Sequence, residues 1–155
     1  MSWMLRTFVA GLVCAIPAAG LYGQSAAKEA MAQGDDKFKE GDYAGAIADY
    51  DRAIALSPQD ATAFNLRGIA KGAKGDLAGS LADLDRAIVL DPQSAAFANN
   101  RGLTKEAQKD YAGAIADFSR SIALDSGNTG SFQNRGNAEF ESNDLEGAIA
   151  DFTAA

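Results

Sequence analysis

The chain has 155 residues, 47% of them hydrophobic, and a net charge of −7. That acidity excludes the clustered Lys and Arg on which nucleic-acid phosphates or anionic lipid dock, so neither is an expected partner. With no histidine and a single cysteine, Cys14, the chain lacks the commonest general base, the commonest metal ligand and any disulfide framework. No cofactor, no metal and no enzymatic activity are therefore expected.

Residues 1–26 come first. One basic residue, Arg6, precedes the apolar run Phe8–Ile16, and Pro17 and the small residues Ala18, Ala19 and Gly20 follow it. A short basic start, an apolar middle and a small-residue end is the grammar of a secretory signal peptide, cut here near residues 20–27, after Gly20, Gly23 or Ala27. The run is shorter than the roughly 18–20 residues of a spanning helix. A retained anchor is the alternative, and an uncleaved signal is the only expected route to a membrane. Cys14 lies inside the run, and Gly11-Leu12-Val13 before it fits a lipid-attachment box poorly. The chain is expected to be exported, with a bacterial periplasm as its destination.

From residue 27 onward the chain repeats. GDYAGAIADYDRAIAL at Gly41–Leu56 returns as GDLAGSLADLDRAIVL at Gly75–Leu90, as KDYAGAIADFSRSIAL at Lys109–Leu124 and as NDLEGAIADFTAA at Asn143–Ala155, with starts 34 residues apart. A fixed period of this size marks units that bury their apolar faces on one another. The units are residues 27–60, 61–94, 95–128 and 129–155, the last being short.

Each unit reads as two amphipathic helices, A and B. In the first unit A covers about Ala26–Glu40 and B about Tyr43–Leu56, where Ala46, Ile47, Tyr50, Ala53 and Ile54 share one face. Gly41 suits a turn of positive φ, Asp42 can cap helix B, and Pro58 ends the unit. In the second unit A covers about Ala61–Lys74, weakened by ~1 kcal/mol at Gly72, and B about Leu77–Leu90. The fourth unit has A at about Gly130–Ser142 and B at about Leu145–Ala154. No capping helix follows, so its apolar face, with Ile149, is expected to be uncovered. Self-association through this open repeat is one outcome; fraying or a longer natural form are the others.

These units resemble tetratricopeptide repeats. The family's glycine falls at Gly34, Gly68, Gly102 and Gly136, and its small residue at Ala46, Ser80, Ala114 and Ala148. Its aromatic or apolar place holds Tyr50, Leu84, Phe118 and Phe152, followed by Ala53, Ala87, Ser121 and Ala155, then Pro58 and Pro92. Position four departs from the pattern in two units, with Ala30 and Ala98 beside Phe64 and Phe132. The resemblance covers residues 27–155. It implies an all-α, right-handed superhelix of helix-turn-helix hairpins, and a non-catalytic adaptor or assembly factor that binds a peptide or helix of a partner protein in its concave groove. A structural spacer or oligomerisation portion of a larger envelope protein is the alternative.

The resemblance places helix-A positions two, five, six, nine, twelve and thirteen in that groove. They are Thr62, Asn65, Leu66, Ile69 and Gly72; then Asn99, Asn100, Leu103 and Glu106; then Gln133, Asn134, Asn137, Phe140 and Glu141. A carboxamide both donates and accepts, so Asn65, Asn99 and Gln133 are expected to form a ladder for an extended peptide backbone. A pocket around Ile69, Leu103 and Phe140 would mark binding. Position five holds Met31, Asn65, Asn99 and Gln133, without the lysine of arrays that clamp a C-terminal carboxylate.

Asp49, Asp83, Asp117 and Asp151 recur on helix B, with Asp51 and Asp85 two residues further on. Residues two apart on a helix diverge, which argues against paired catalytic carboxylates. Arg67, Arg101 and Arg135 precede the unit glycine in units two to four; unit one, with no unit before it, has Gln33. The expected pairs are Arg67–Asp49, Arg101–Asp83 and Arg135–Asp117 across the unit junctions. The aspartate of the same unit is the competing partner.

Overall fold

The computed structural model describes residues 18–155, so the expected signal segment lies, up to residue 17, outside the described residues. Eight helices follow: α1 (Ala18–Lys39), α2 (Tyr43–Leu56), α3 (Ala61–Ala73), α4 (Leu77–Leu90), α5 (Ala95–Ala107), α6 (Tyr111–Leu124), α7 (Thr129–Glu141) and α8 (Leu145–Ala154). Among the described residues there is no strand. The fold is an all-α superhelix of hairpins. Helix α1 starts eight residues earlier than expected, so the candidate cuts after Gly20, Gly23 and Ala27 fall within it. No helix among the described residues is long and apolar enough to cross a membrane.

The boundaries have local causes. Asp42, Asp76, Asp110 and Asp144 each accept a hydrogen bond from the backbone N–H three residues on, at 2.9–3.1 Å. Each thereby satisfies a free amide of a B helix. The residue before each cap has positive φ: 82° at Gly41, 94° at Gly75, 64° at Lys109 and 69° at Asn143. Glycine takes that conformation without strain, asparagine with little, and lysine with the most. Gly72 does not break α3, which runs on to Ala73.

Each helix packs on the next in sequence, and α3 also touches α5, as α5 touches α7. The A helices therefore line the inner side of the curve. The core sits inside each hairpin and at each junction. Tyr50, Leu84 and Phe118 are fully buried, which stabilises by about 1.5–3 kcal/mol each. Each B-helix ring or Leu84 lies flat against the glycine of its own A helix. A Cβ on Gly102 would stand 2.6 Å from Phe118, and one on Gly34 only 2.5 Å from Tyr50. Junctions are closed by small residues: Ala30, Ala53 and Ala63 cluster between the first two units. Ser121 and Ser131 share a buried hydrogen bond of 2.8 Å between the last two.

Candidate functional site

Two sets of polar side chains run through the array, one between the two helices of each hairpin and one along the inner face. In the first set the same-unit aspartate takes the arginine. Arg67 donates Nε and Nη2 to Asp83 at 2.8 and 2.5 Å. Arg101 does the same to Asp117 at 2.8 and 2.5 Å, and Arg135 to Asp151 at 2.6 and 2.7 Å. The expected junction pairs Arg67–Asp49, Arg101–Asp83 and Arg135–Asp117 are not formed. Successive residues of a helix turn by about 100°, so residues two apart face nearly opposite ways. The buried aspartate is turned inward to its own A helix, and the residue two further on reaches the next unit. The third guanidinium nitrogen, Nη1, accordingly donates across the junction, to Asp51 at 2.6 Å from Arg67, to Asp85 at 2.8 Å from Arg101 and to Ser119 at 3.0 Å from Arg135. Each arginine thus spans two repeats. Asp49, in the unit where Gln33 stands at the arginine's place, is held by Lys37 at 2.6 Å and Arg52 at 3.3 Å.

A lysine one turn along completes this nest. Lys37, Lys71 and Lys105 reach Asp49, Asp83 and Asp117 at 2.6, 2.8 and 2.7 Å. The signal was present in the 34-residue period, and so was its exception, Glu139. Burial pushes the Asp117 carboxyl up, but Arg101 and then Lys105 outweigh it and hold the group below its ordinary range. The guanidinium of Arg101 is raised, chiefly by its bonds to Asp117. In the fourth unit Glu139 faces Asp151 instead. Its Oε2 is buried without a hydrogen-bond partner. Burial, then Asp151, push its carboxyl up. The recurring aspartates Asp49, Asp83, Asp117 and Asp151 are buried in this structural work, and among the described residues no cluster of three potential metal ligands forms.

The inner face holds the expected groove residues. Asn65 is buried and its Oδ1 accepts from Asn100 Nδ2 at 2.9 Å. Asn99 Oδ1 accepts from Asn134 Nδ2 at 3.0 Å and from Ser131 Oγ at 3.2 Å. Two of the three carboxamide oxygens of the expected ladder, those of Asn65 and Asn99, are therefore engaged between repeats rather than turned to a ligand. Gln133 and Asn137 remain exposed.

Two hollows open on this side, each of about 280 Å³. One lies between α3 and α5, walled by Ile69, Leu77, Asn100, Leu103, Thr104 and Ala107, with Gly72 and Ala73 beside them. Its space exists because Gly72 has no side chain at the place where the other units carry Phe38, Glu106 and Phe140. The second is lined by Asp35, Phe38, Lys39, Tyr50 and Leu66, and Ile69 forms a wall of both. There the Tyr50 hydroxyl donates to Asp35 at 2.8 Å, and burial, followed by Asp35, raises the phenol. Phe140 lines neither hollow and is 58% exposed. The expected pocket thus forms around Ile69 and Leu103 without Phe140. Leu77, Thr104 and Ala107 were not expected there, because their place follows from how neighbouring units stack rather than from the period.

Comparison with known proteins adds the following. A family described as "TPR repeat" matches residues 34–75, and one described as "Tetratricopeptide repeat" matches residues 66–129. Among curated proteins none matches the sequence significantly. Solved structures resemble it over most of its length. MamA (41-end) from Desulfovibrio magneticus RS-1 is 20% identical, with 82% of this chain and 72% of that one covered and a TM-score of 0.75. The first TPR of Spaghetti (RPAP3) bound to the HSP90 peptide SRMEEVD is 22% identical, over 79% and 95%, with a TM-score of 0.72. The Sgt2 TPR domain from Aspergillus fumigatus is 19% identical, over 77% and 81%, with a TM-score of 0.73.

Proposed function

The chain belongs to the tetratricopeptide-repeat family, whose domains are typically non-catalytic and mediate protein–protein interaction, and from that premise we propose that it is an adaptor or assembly factor that holds a peptide segment or helix of a partner in its concave groove. The observation that carries this is the apolar hollow between α3 and α5, open to solvent and walled by Ile69 and the 40% exposed Leu103. Apolar recesses with a few convergent polar groups are where protein surfaces take ligands. The peptide carried by the RPAP3 structure supports a peptide as the kind of ligand. Binding rests on the apolar walls; Asn65 and Asn99 act through the groove's shape, their oxygens already being hydrogen-bonded.

Affinity capture with the chain and with an Ile69→Ser/Leu103→Ser variant tests the reading. Partners held by the first and lost by the second are expected. Identical partner sets would end it.

Export to a bacterial periplasm is part of the same proposal. It is supported by Arg6, the run Phe8–Ile16 and the small residues after Pro17. N-terminal sequencing of the expressed protein should find a start between residues 21 and 28; an intact Met1 in the soluble fraction would refute it.

A second reading, a spacer or self-associating module of an envelope protein, is favoured by one feature. Leu145, Ile149 and Phe152 of α8 are 52, 67 and 47% exposed. Light scattering distinguishes the two: a mass that rises with concentration favours this reading, and a constant monomer mass removes it.

A further inference from the structure

We propose that the open face of α8 is a docking surface for a partner helix of A type, with uncharged residues seven apart and the second of them small, and that Glu29 and Asp36 deny this surface to a second copy of the chain. The surface is separate from the groove. What it fits is defined by the three junctions inside the array, each made at the same two places. At the first place Ala63 packs with Ala53, Phe97 packs with Ala87 and Ile88, and Ser131 bonds to Ser121. At the second, two helical turns on, Ala70 packs with Ala46 and Tyr50, Thr104 bonds to Ser80 at 3.1 Å, and Ala138 packs with Ala114 and Phe118. All of these incoming residues are buried, and none is charged.

The receiving face on α8 is of the same make. Ala148, Ile149 and Phe152 stand where α2 has Ala46, Ile47 and Tyr50. With α3 stacked on them, Tyr50 is fully buried and Ile47 half-buried, whereas Phe152 and Ile149 are exposed. The face of α8 thus continues an interface that the array uses at every junction, and the helix that fits it is one more of the kind that α3, α5 and α7 present.

Helix α1 departs from that kind at both places. It carries Glu29 and Asp36 there, and both are exposed. Gln33 stands where the later A helices have the arginine that reaches the unit before, and it accepts from Arg52 of its own hairpin at 2.7 Å. Set on the α8 of another copy, the two carboxylates would meet apolar side chains, and α8 has no basic residue to receive them. The exposed pair of Asp36 with Lys39, at 3.3 Å, would lose its water. A carboxylate desolvated without a new partner opposes the contact. Head-to-tail joining of copies, which does not close and runs on into filaments, is thereby blocked, while the face stays available to an uncharged helix of another protein.

Sedimentation and light scattering of the full chain over a range of concentrations test this, with Glu29→Ala/Asp36→Ala turning α1 itself into a helix that fits. Alanine favours the helix at both exposed places, and circular dichroism establishes that the variant keeps its helix content. The wild type should hold a monomer mass. The mass of the variant should rise with concentration without a plateau, and Ile149→Lys added to it should return the monomer mass. A variant that stays monomeric overturns the proposal, and so does growth that ignores Ile149→Lys. A wild type that grows in the same way, or that stops at a dimer, overturns it as well and is what the self-associating reading expects. Capture through Ile69 and Leu103 stands or falls separately from all of these results.

Discussion

The third and fourth hairpins are built from the same parts and differ in how those parts are neutralised and covered. In α5–α6 the ring of Phe118 is fully buried, and Asp117 is held by both Arg101 and Lys105. In α7–α8 the equivalent Phe152 is 47% exposed, and Asp151 has Arg135 on one side and Glu139 on the other. A unit of this array thus becomes rigid through two additions to its own hairpin. One is a second cation over the buried aspartate, and the other is the next A helix over its B-helix face.

The sharpest way to break the comparison is to remove the aspartate. Asp117→Ala leaves Lys105 partly buried without a counter-ion and Arg101 with Asp85 alone, and should destabilise the third hairpin by about 3 kcal/mol. Asp151→Ala also relieves repulsion of Glu139 and frees Arg135 to turn to it, so its cost should stay under about 1 kcal/mol. Amide hydrogen exchange resolved by hairpin reads both; equal losses would show that Glu139 changes nothing.

Next come the glycines. Gly102→Ala should cost about 2 kcal/mol, since Phe118 has no room to yield. The same change at Gly136, where a Cβ would stand 2.8 Å from Phe152, should cost under about 1 kcal/mol because that ring lies at an open edge. Urea midpoints should rank the two variants in that order, and a reversed ranking would show that Phe152 is covered in solution.

Glu139→Lys restores the arrangement of the other units. It should stabilise α7–α8 by about 1–2 kcal/mol by replacing an unsatisfied buried oxygen with an ion pair. The two hairpins should also respond oppositely to acid. Glu139 has a folded pKa raised above its unfolded value, so its contribution is fully present below the unfolded value and lost as pH rises through the folded one. Asp117 is lowered, so its contribution is present above the unfolded value and lost as pH falls through the folded one. Mild acidification from neutrality should therefore increase protection in α8, after correction for intrinsic exchange rates, and leave α6 unchanged. Protection falling in both would refute the assignment.

The smallest effect concerns the turns. Lys109→Gly, at φ 64°, should raise stability by about 1 kcal/mol. Asn143→Gly should do so by less, asparagine being better suited to that conformation. Thermal midpoints of the two variants check the order.

Much of this was legible in the residues alone. The 34-residue period, the aspartate cap and the apolar spacing placed α2, α3, α4, α7 and α8 to within a residue, because each signal is local. The arginine partners were not legible. Asp49 and Asp51 are equally near Arg67 in sequence logic, and only the packed hairpin decides that the inward aspartate belongs to its own unit. The hollow at Gly72 was likewise hidden. A missing side chain looks like a helix weakness until the walls at Leu77, Leu103 and Ala107 stand round it. Glu139 was visible as a break in the row Lys37, Lys71, Lys105, and carries meaning only once the buried Asp151 is seen opposite it.

The guanidinium that reaches into two repeats has a consequence for how the array comes apart. Arg67 and Arg101 tie their hairpins to the preceding unit through charged oxygens, whereas Arg135 reaches a neutral hydroxyl at Ser119. Coupling between nearest neighbours therefore weakens toward the last repeat. Opening should begin there and travel backward as a zipper does, so that under tension or heat α7–α8 detaches first and the groove between α3 and α5 is the last part of the surface to lose its shape.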